Sequence, residues 1–355
     1  MTPPGQAGDR PRPEGHGLRV GLIGAGDMSR YHLRAWQKLP DVEVVAISAL
    51  HLERAQARAA EFGIPAAYAG AREMLDGERL DAVDIATWRE THAELTLLAA
   101  DRGIDVLCQK PLAPTFAEAE ELAKAVHGRV RLMVHENRRF APHFRTIRRW
   151  IDAGRIGEVR QVVMTTWRSS LIADPDGRRP AVERAAYFGR ERRLMIGEAL
   201  IHQLDVLRYL LGPLKVVAAR TARTEPDLPG ETLATILLET VPGGAPVVLG
   251  GSFVAPGFGG PRTNPARPVG ASTTDRLEIL GSVSSLVMGG DALELRGGET
   301  DHEAVDGADA YQACFDAAIA HFVACLRSGE PFETDPADNL ETLRLVEHAY
   351  ALAQS

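Results

Sequence analysis

The stretch GLIGAGDMSRYH, Gly21 to His32, limits the fold more than any other part of this chain. It follows the apolar run LRVGLIG and opens an amphipathic helix, so the chain passes from strand to glycine turn to helix. Gly24 permits the tight turn, and Gly26 lets the backbone come close to a bound pyrophosphate. Asp27 and Met28 begin the helix, whose free amides and partial positive charge suit a phosphate. Ser29 stands where a third glycine is expected and is small enough for close helix–strand packing. A bare strand-to-helix turn is the competing reading. Its place at the first strand of a long βα series favours the phosphate cradle.

That series is regular. LRVGLIG, VEVVAIS, AVDIAT, IDVLCQ and VRLMVHE read as strands. MSRYHLRAWQKL, HLERAQARAAEFG, EMLDGERL, ETHAELTLLAADRG and TFAEAEELAKAVHG read as the helices between them. Continuous aliphatic strands separated by amphipathic helices imply a parallel sheet covered on both faces, the doubly wound Rossmann arrangement.

After about residue 135 the rhythm changes. A helix near Pro142–Ala153 precedes a strand, Glu158–Arg168, then a loop rich in Arg, Asp and Pro, and a helix over Glu198–Leu211. VVAARTA, ETLATILLET, PVVLGGSF, DRLEILG and SLVMGG follow without intervening helices, which suits a mainly antiparallel sheet. VAPGFGGPRTNPARPVGAS is a long loop, and two helices, Tyr311–Arg327 and Pro336–Ala353, close the chain. The expected fold is α/β: an N-terminal Rossmann doubly wound parallel sheet plus a C-terminal α+β domain with a large open, mainly antiparallel sheet. The expected division is a disordered leader over 1–17, a dinucleotide-binding domain over 18–135, a substrate and oligomerisation domain over 136–335, and a helix over 336–355 that packs back on the first domain.

Composition removes several function classes. A net charge of −8 argues against nucleic acid or an anionic membrane as partner. No apolar run reaches the length of about 20 residues that spans a bilayer, and the leader lacks the apolar centre of a secretory signal. Cys108, Cys314 and Cys325 show no CxxC spacing, which favours a reducing compartment and opposes a cysteine-built zinc site. A cytoplasmic protein is expected, as a homodimer or homotetramer, because an open sheet of this kind buries a face.

The end of the second strand bears on the cofactor. An acidic residue there holds the adenosine ribose and selects NAD. Here VVAIS ends in Ser48, followed by Ala49, Leu50 and His51. A hydroxyl removes the repulsion against a 2′-phosphate; no arginine follows immediately to hold one, which leaves His51 as the candidate, so the reading leans to NADP with NAD close behind. Alternatively, Ser48 simply caps the next helix.

Two further stretches, AVDIATWRETHAELTLLAADRGIDVLCQKPLAPT (82–115) and IGEALIHQLDVLRYLLGP (196–213), complete a resemblance. With the glycine turn, they make the chain similar to the glucose–fructose oxidoreductase / inositol dehydrogenase (Gfo/Idh/MocA) family. The resemblance implies NAD(P)-dependent oxidation or reduction of sugars, polyols and related cyclic compounds. The family's Glu-Lys-Pro motif stands here as Gln109-Lys110-Pro111. By resemblance, Lys110 reaches both the nicotinamide ribose and a substrate hydroxyl. The end of a strand in a doubly wound sheet is where functional groups gather, and a partly desolvated lysine exchanges its proton more readily. Glutamine for glutamate removes a negative charge beside that lysine.

Glu198, His202 and Asp205, at i, i+4 and i+7, fall on one face of an α-helix and are read as orienting a polyhydroxylated substrate, with His202 assisting proton transfer. The family has Asp four residues before this histidine; Glu198 takes that place. A surface pair between Glu198 and His202, or a zinc site, are the alternatives. No HExxH helix accompanies these residues, so no metal is expected. Thr87, Trp88 and His92 match cofactor-side positions of the family, and Trp88 stands where many members have proline. Glu136, Asn137 and Arg138 leave the sixth strand toward the substrate side, and Arg168 is a further candidate for a substrate hydroxyl or carboxylate.

The expected function is hydride transfer between nicotinamide and a sugar, cyclitol or related cyclic alcohol, with Lys110 as proton acid/base. The runner-up is a non-catalytic dinucleotide- or sugar-binding member acting as sensor or complex subunit, kept open by Gln109 and Glu198. A third reading keeps the cofactor but performs net elimination, hydrolysis or epimerisation through transient oxidation. Substrate shape is assigned to the loops 169–193 and 255–272.

Overall fold

The computed structural model describes residues 17–258, 275–289, 292–297, 300–304 and 310–353. The leader up to residue 16 and the proline- and glycine-rich loop from 259 lie outside the described residues. Contacts divide the chain into two compact units, Met1–Asn137 with Phe315–Glu341, and Arg138–Cys314 with Thr342–Ser355.

The first unit contains β1 (Leu18–Ile23), β2 (Val42–Ser48), β3 (Ala66–Tyr68), β4 (Ala82–Ile85), β5 (Asp105–Gln109) and β6 (Leu132–His135). They form one sheet in the order β3-β2-β1-β4-β5-β6, and every neighbouring pair is parallel. This is the strand order of dinucleotide-binding doubly wound folds, with ligands bound beyond the strand C-termini where the order reverses. β4 and β6 are buried along their whole length, which is why they read as mainly apolar runs, interrupted by Asp84 in β4 and ended by His135 in β6. The crossovers are α1 (Asp27–Trp36), α2 (Leu52–Phe62), α3 (Ala71–Gly77), α4 (His92–Ala100) and α5 (Phe116–Val126). Thr115 and Glu118 close a reciprocal capping box that fixes where α5 starts. The short strand β3 was not expected: three residues carry too little pattern to stand out.

The second unit contains α6 (Pro142–Asp152), β7 (Val159–Trp167), α7 (Pro180–Arg184) and α8 (Ile201–Leu211). Its later strands are β8 (Leu214–Ala222), β9 (Leu233–Thr240), β10 (Pro246–Ser252), β11 (Asp275–Gly281), β12 (Ser285–Gly289), β13 (Ala292–Arg296) and β14 (Asp301–Ala304). Eight strands form one sheet in the order β14-β13-β12-β11-β7-β10-β9-β8. All pairs are antiparallel except β7 with β10. Burial alternates along β9 and β11, so one face of the sheet packs inward while the other carries exposed side chains such as Leu237. The closing helices are α9 (Ala310–Ser328) and α10 (Pro336–Ala353). Among the described residues no helix is long and apolar enough to cross a membrane.

Candidate functional site

The glycine turn lies between β1 and α1. Gly24 has φ +113°, a conformation that L side chains rarely adopt, and its amide donates to the Ser48 carbonyl over 2.8 Å. A Cβ on Gly24 would stand 2.4 Å from the Ala86 carbonyl oxygen. Gly26 is different: a Cβ there would meet nothing within 4 Å. Gly26 is also the N-cap of α1, and no side chain caps the helix. The first-turn amides of Asp27 and Met28 therefore head an uncapped helix beside open space, which fits a pyrophosphate. Ser29 is fully buried, and its hydroxyl donates to the Gly26 carbonyl over 2.6 Å, tightening the first turn.

At the end of β2, Ser48 is fully buried and its hydroxyl has no hydrogen-bond partner among the described residues. The N-cap of α2 is His51, so Ser48 does not cap that helix. Leu50 and His51 are exposed there. Arg58 and Arg30 meet on Glu61 beside the glycine turn. Arg58 donates to Glu61 over 2.7 Å and to the Gly26 carbonyl over 3.1 Å, and Arg30 donates to Glu61 over 2.9 Å.

Gln109 ends β5, and Lys110, half-buried, follows it. The Lys110 amide donates to the Gln109 side-chain oxygen over 2.8 Å. His92 is fully buried; its Nδ1 lies 2.8 Å from the Pro111 carbonyl and its Nε2 lies 3.2 Å from that of Thr87. It ties the lysine turn to the loop after β4. Burial holds the His92 imidazole below its ordinary range, favouring the neutral ring that donates from Nδ1 to the shorter contact. Thr87 shares a 2.8 Å hydroxyl contact with Thr91, while Trp88 is 57% exposed. Asn137 and Glu136 are buried beyond β6.

In the second unit, residues Met195–Leu200 form a π-helical turn before α8. The spacing Glu198, His202, Asp205 therefore does not run along a uniform α-helix. Glu198 accepts from the Tyr187 hydroxyl over 3.2 Å, and His202 is half-buried. Asp205 is fully buried, with Arg139 donating to it from Nε over 2.8 Å and Thr342 from its hydroxyl over 3.2 Å. This corrects the substrate-orienting reading of Asp205, whose oxygens are engaged in a buried ion pair. The π turn starts on Glu231, which accepts from the amides of Leu194 and Ile196, each over 3.1 Å. Arg168 is half-buried, its guanidinium over the Phe253 ring at 5.8 Å.

Sequence reasoning passed over Arg139, Glu231, Asp84 and His32. Arg139 and Glu231 carry no motif, and their partners lie far along the chain. For Asp84 a signal existed: a carboxylate in the middle of the run AVDI, on a strand buried on both faces. Among the described residues no three His, Cys, Asp or Glu side chains gather as metal ligands would.

A parallel sheet of this order, its glycine turn and its uncapped helix define the first unit as a Rossmann dinucleotide-binding domain. The comparisons with known proteins extend this to the whole chain. Residues 18–136 match the GFO_IDH_MocA oxidoreductase family with its NAD-binding Rossmann fold, and 144–287 match the GFO/IDH/MocA C-terminal domain. D-Apiose dehydrogenase of Paraburkholderia graminis is 34% identical over 345 residues, 94% of this chain and 87% of that protein. Inositol 2-dehydrogenase of Rhizobium meliloti is 33% identical over 58% of each chain. A crystal structure of an oxidoreductase from Agrobacterium radiobacter, in complex with NAD+, L-tartaric acid and magnesium, superposes with a TM-score of 0.85 at 26% identity, covering 95% of this chain and 96% of that one. The chain belongs to the Gfo/Idh/MocA oxidoreductase family.

Proposed function

We propose that this protein transfers a hydride between a nicotinamide dinucleotide and the CH–OH group of a sugar, cyclitol or related cyclic alcohol. The observation that carries the proposal is the pairing, within one unit, of an open glycine cradle at Gly26 with a lysine directly after β5. The names of the relatives, apiose and inositol dehydrogenases, support the substrate class.

Gly26 and the amides of Asp27 and Met28 would hold the pyrophosphate at the turn that Gly24 makes, with His51 toward the adenosine ribose. When bound, the nicotinamide supplies the hydride acceptor or donor. Lys110 takes the hydroxyl proton as the carbonyl forms, and returns it in the reverse direction. His92 holds the Pro111 carbonyl and so steadies the turn that carries the lysine. Thr87 and Trp88 line the cofactor side; Asn137, Arg168, Glu198 and His202 are assigned to the substrate, with His202 assisting the proton transfer. The lack of a carboxylate at position 48 favours NADP, although the Ser48 hydroxyl itself is buried and the ribose of NAD also fits a neutral strand end. The protein is assigned to the cytoplasm, as a homo-oligomer.

The test is a sugar and polyol screen with NAD and NADP, following reduced nicotinamide by absorbance. Alcohol-dependent reduction supports the proposal. Tight dinucleotide binding with no turnover on any polyol would replace it with a sensor role. Product formation without net absorbance change would instead point to transient oxidation.

A further inference from the structure

Beside Lys110 lies a buried chain of hydrogen bonds whose direction is fixed along its length. The Lys110 main-chain N–H can only donate, so the Gln109 side-chain atom 2.8 Å away is its oxygen. The other end of that amide is then nitrogen, and it faces Nε2 of His32 at 3.0 Å. An amide nitrogen only donates, so Nε2 of His32 accepts and the ring proton sits on Nδ1. Nδ1 in turn donates to Asp84 over 2.8 Å, and the same carboxylate oxygen accepts from the Trp36 indole over 2.7 Å. His32 and Asp84 are both fully buried.

We infer that Gln109 is a positioning residue for Lys110, anchored through His32 by Asp84, and that Asp84 is what makes glutamine rather than glutamate fit at position 109. This rests on Lys110 being the proton-exchanging group. A glutamate here would still accept from the Lys110 amide, but it would turn a second acceptor toward the His32 lone pair. Only a doubly protonated ring could bridge Asp84 and such a glutamate. The other groups packed on the ring are His135 from β6, with centroids 4.3 Å apart, and Phe315 from α9 at 5.3 Å. His135 Nδ1 lies 3.5 Å from the Gln109 nitrogen. Cys108, buried on β5, lies near enough to Asp84 to feel its charge. The titratable neighbours are thus Asp84, His135, Cys108 and Lys110 itself.

The experiment compares kcat and KM of the full-chain wild type and Gln109→Glu between pH 6 and 8, with an alcohol found in the screen. The variant should lose kcat by about 10- to 100-fold at pH 8, with cofactor KM little changed. The wild-type-to-variant ratio should narrow as the pH falls, because acid favours the second ring proton that restores a donor to position 109. A triple variant, Trp36→Phe and Asp84→Asn with Gln109→Glu, should recover much of the loss at pH 8. With the Trp36 indole donor gone, the asparagine amide is free to donate to Nδ1, the ring proton moves to Nε2, and the ladder runs in reverse. A Gln109→Glu variant as active as wild type, or equally impaired at every pH, overturns the inference while Lys110→Ala remains inactive. An active Lys110→Ala overturns the functional reading itself. If Gln109→Glu does not fold, the triple variant is read by thermal melting against Trp36→Phe with Asp84→Asn: folding as stable as that parent supports the inference, and its failure contradicts it.

Discussion

Gly24 and Ala86 approach so closely that a side-chain carbon on the glycine would stand 2.4 Å from the Ala86 carbonyl oxygen. Two residues on, Gly26 has open space. The two glycines therefore answer to different constraints, one to the fold and one to the ligand. Gly24→Ala should cost about 1–3 kcal/mol of stability, since it adds a clash to a strained positive φ. Gly26→Val should leave the melting temperature near wild type and abolish NADH and NADPH binding in a fluorescence titration. Retained binding in Gly26→Val would remove the cradle.

Lys110→Ala should abolish turnover while dinucleotide affinity stays within about tenfold, because the lysine is assigned to the reacting hydroxyl. Steady-state kinetics beside a binding titration separate the two effects. Unchanged activity would exclude Lys110 as the acid/base.

Asp205→Ala should destabilise the protein by about 3–5 kcal/mol, because it leaves the buried Arg139 guanidinium without its carboxylate. Urea unfolding of the two proteins measures this. A loss below about 1 kcal/mol would mean that the pair does not hold α8 in place.

Acid should weaken the fold through His143. Burial holds its imidazole down at about 4, with Asp275 opposing and Arg138 adding to the shift, and its Nε2 has no hydrogen-bond partner among the described residues. The unfolded chain therefore binds this proton first, and stability falls as the pH drops from about 6.5 toward 4. By pH 5 the loss is about 2 kcal/mol. His92, also lowered by burial, acts in the same direction. His143→Gln should flatten the urea midpoint between pH 7 and 5; an unaltered dependence would assign the acid sensitivity elsewhere.

The first unit was legible because parallel buried strands have a local signature, as in the run DVLCQ, and because the Gly24 turn needs a residue type that few other positions need. The pairing of β7 with β10 was not legible, since no local pattern records which distant strand lies alongside in parallel. Asp205 misled for a related reason. Helical spacing put it beside His202, but its partner Arg139 lies 66 residues away, and a π turn interrupts the spacing from Glu198. Ser48 illustrates a third limit. The chemistry of a hydroxyl at the strand end was clear, yet its full burial depends on tertiary packing that the sequence does not display.

The most direct measurement of the central claim is a crystal structure with NAD or NADP bound. The account predicts the pyrophosphate on the amides of Gly26, Asp27 and Met28, and the nicotinamide within reach of the Lys110 amine. A dinucleotide seated elsewhere, or a nicotinamide turned away from Lys110, would contradict it.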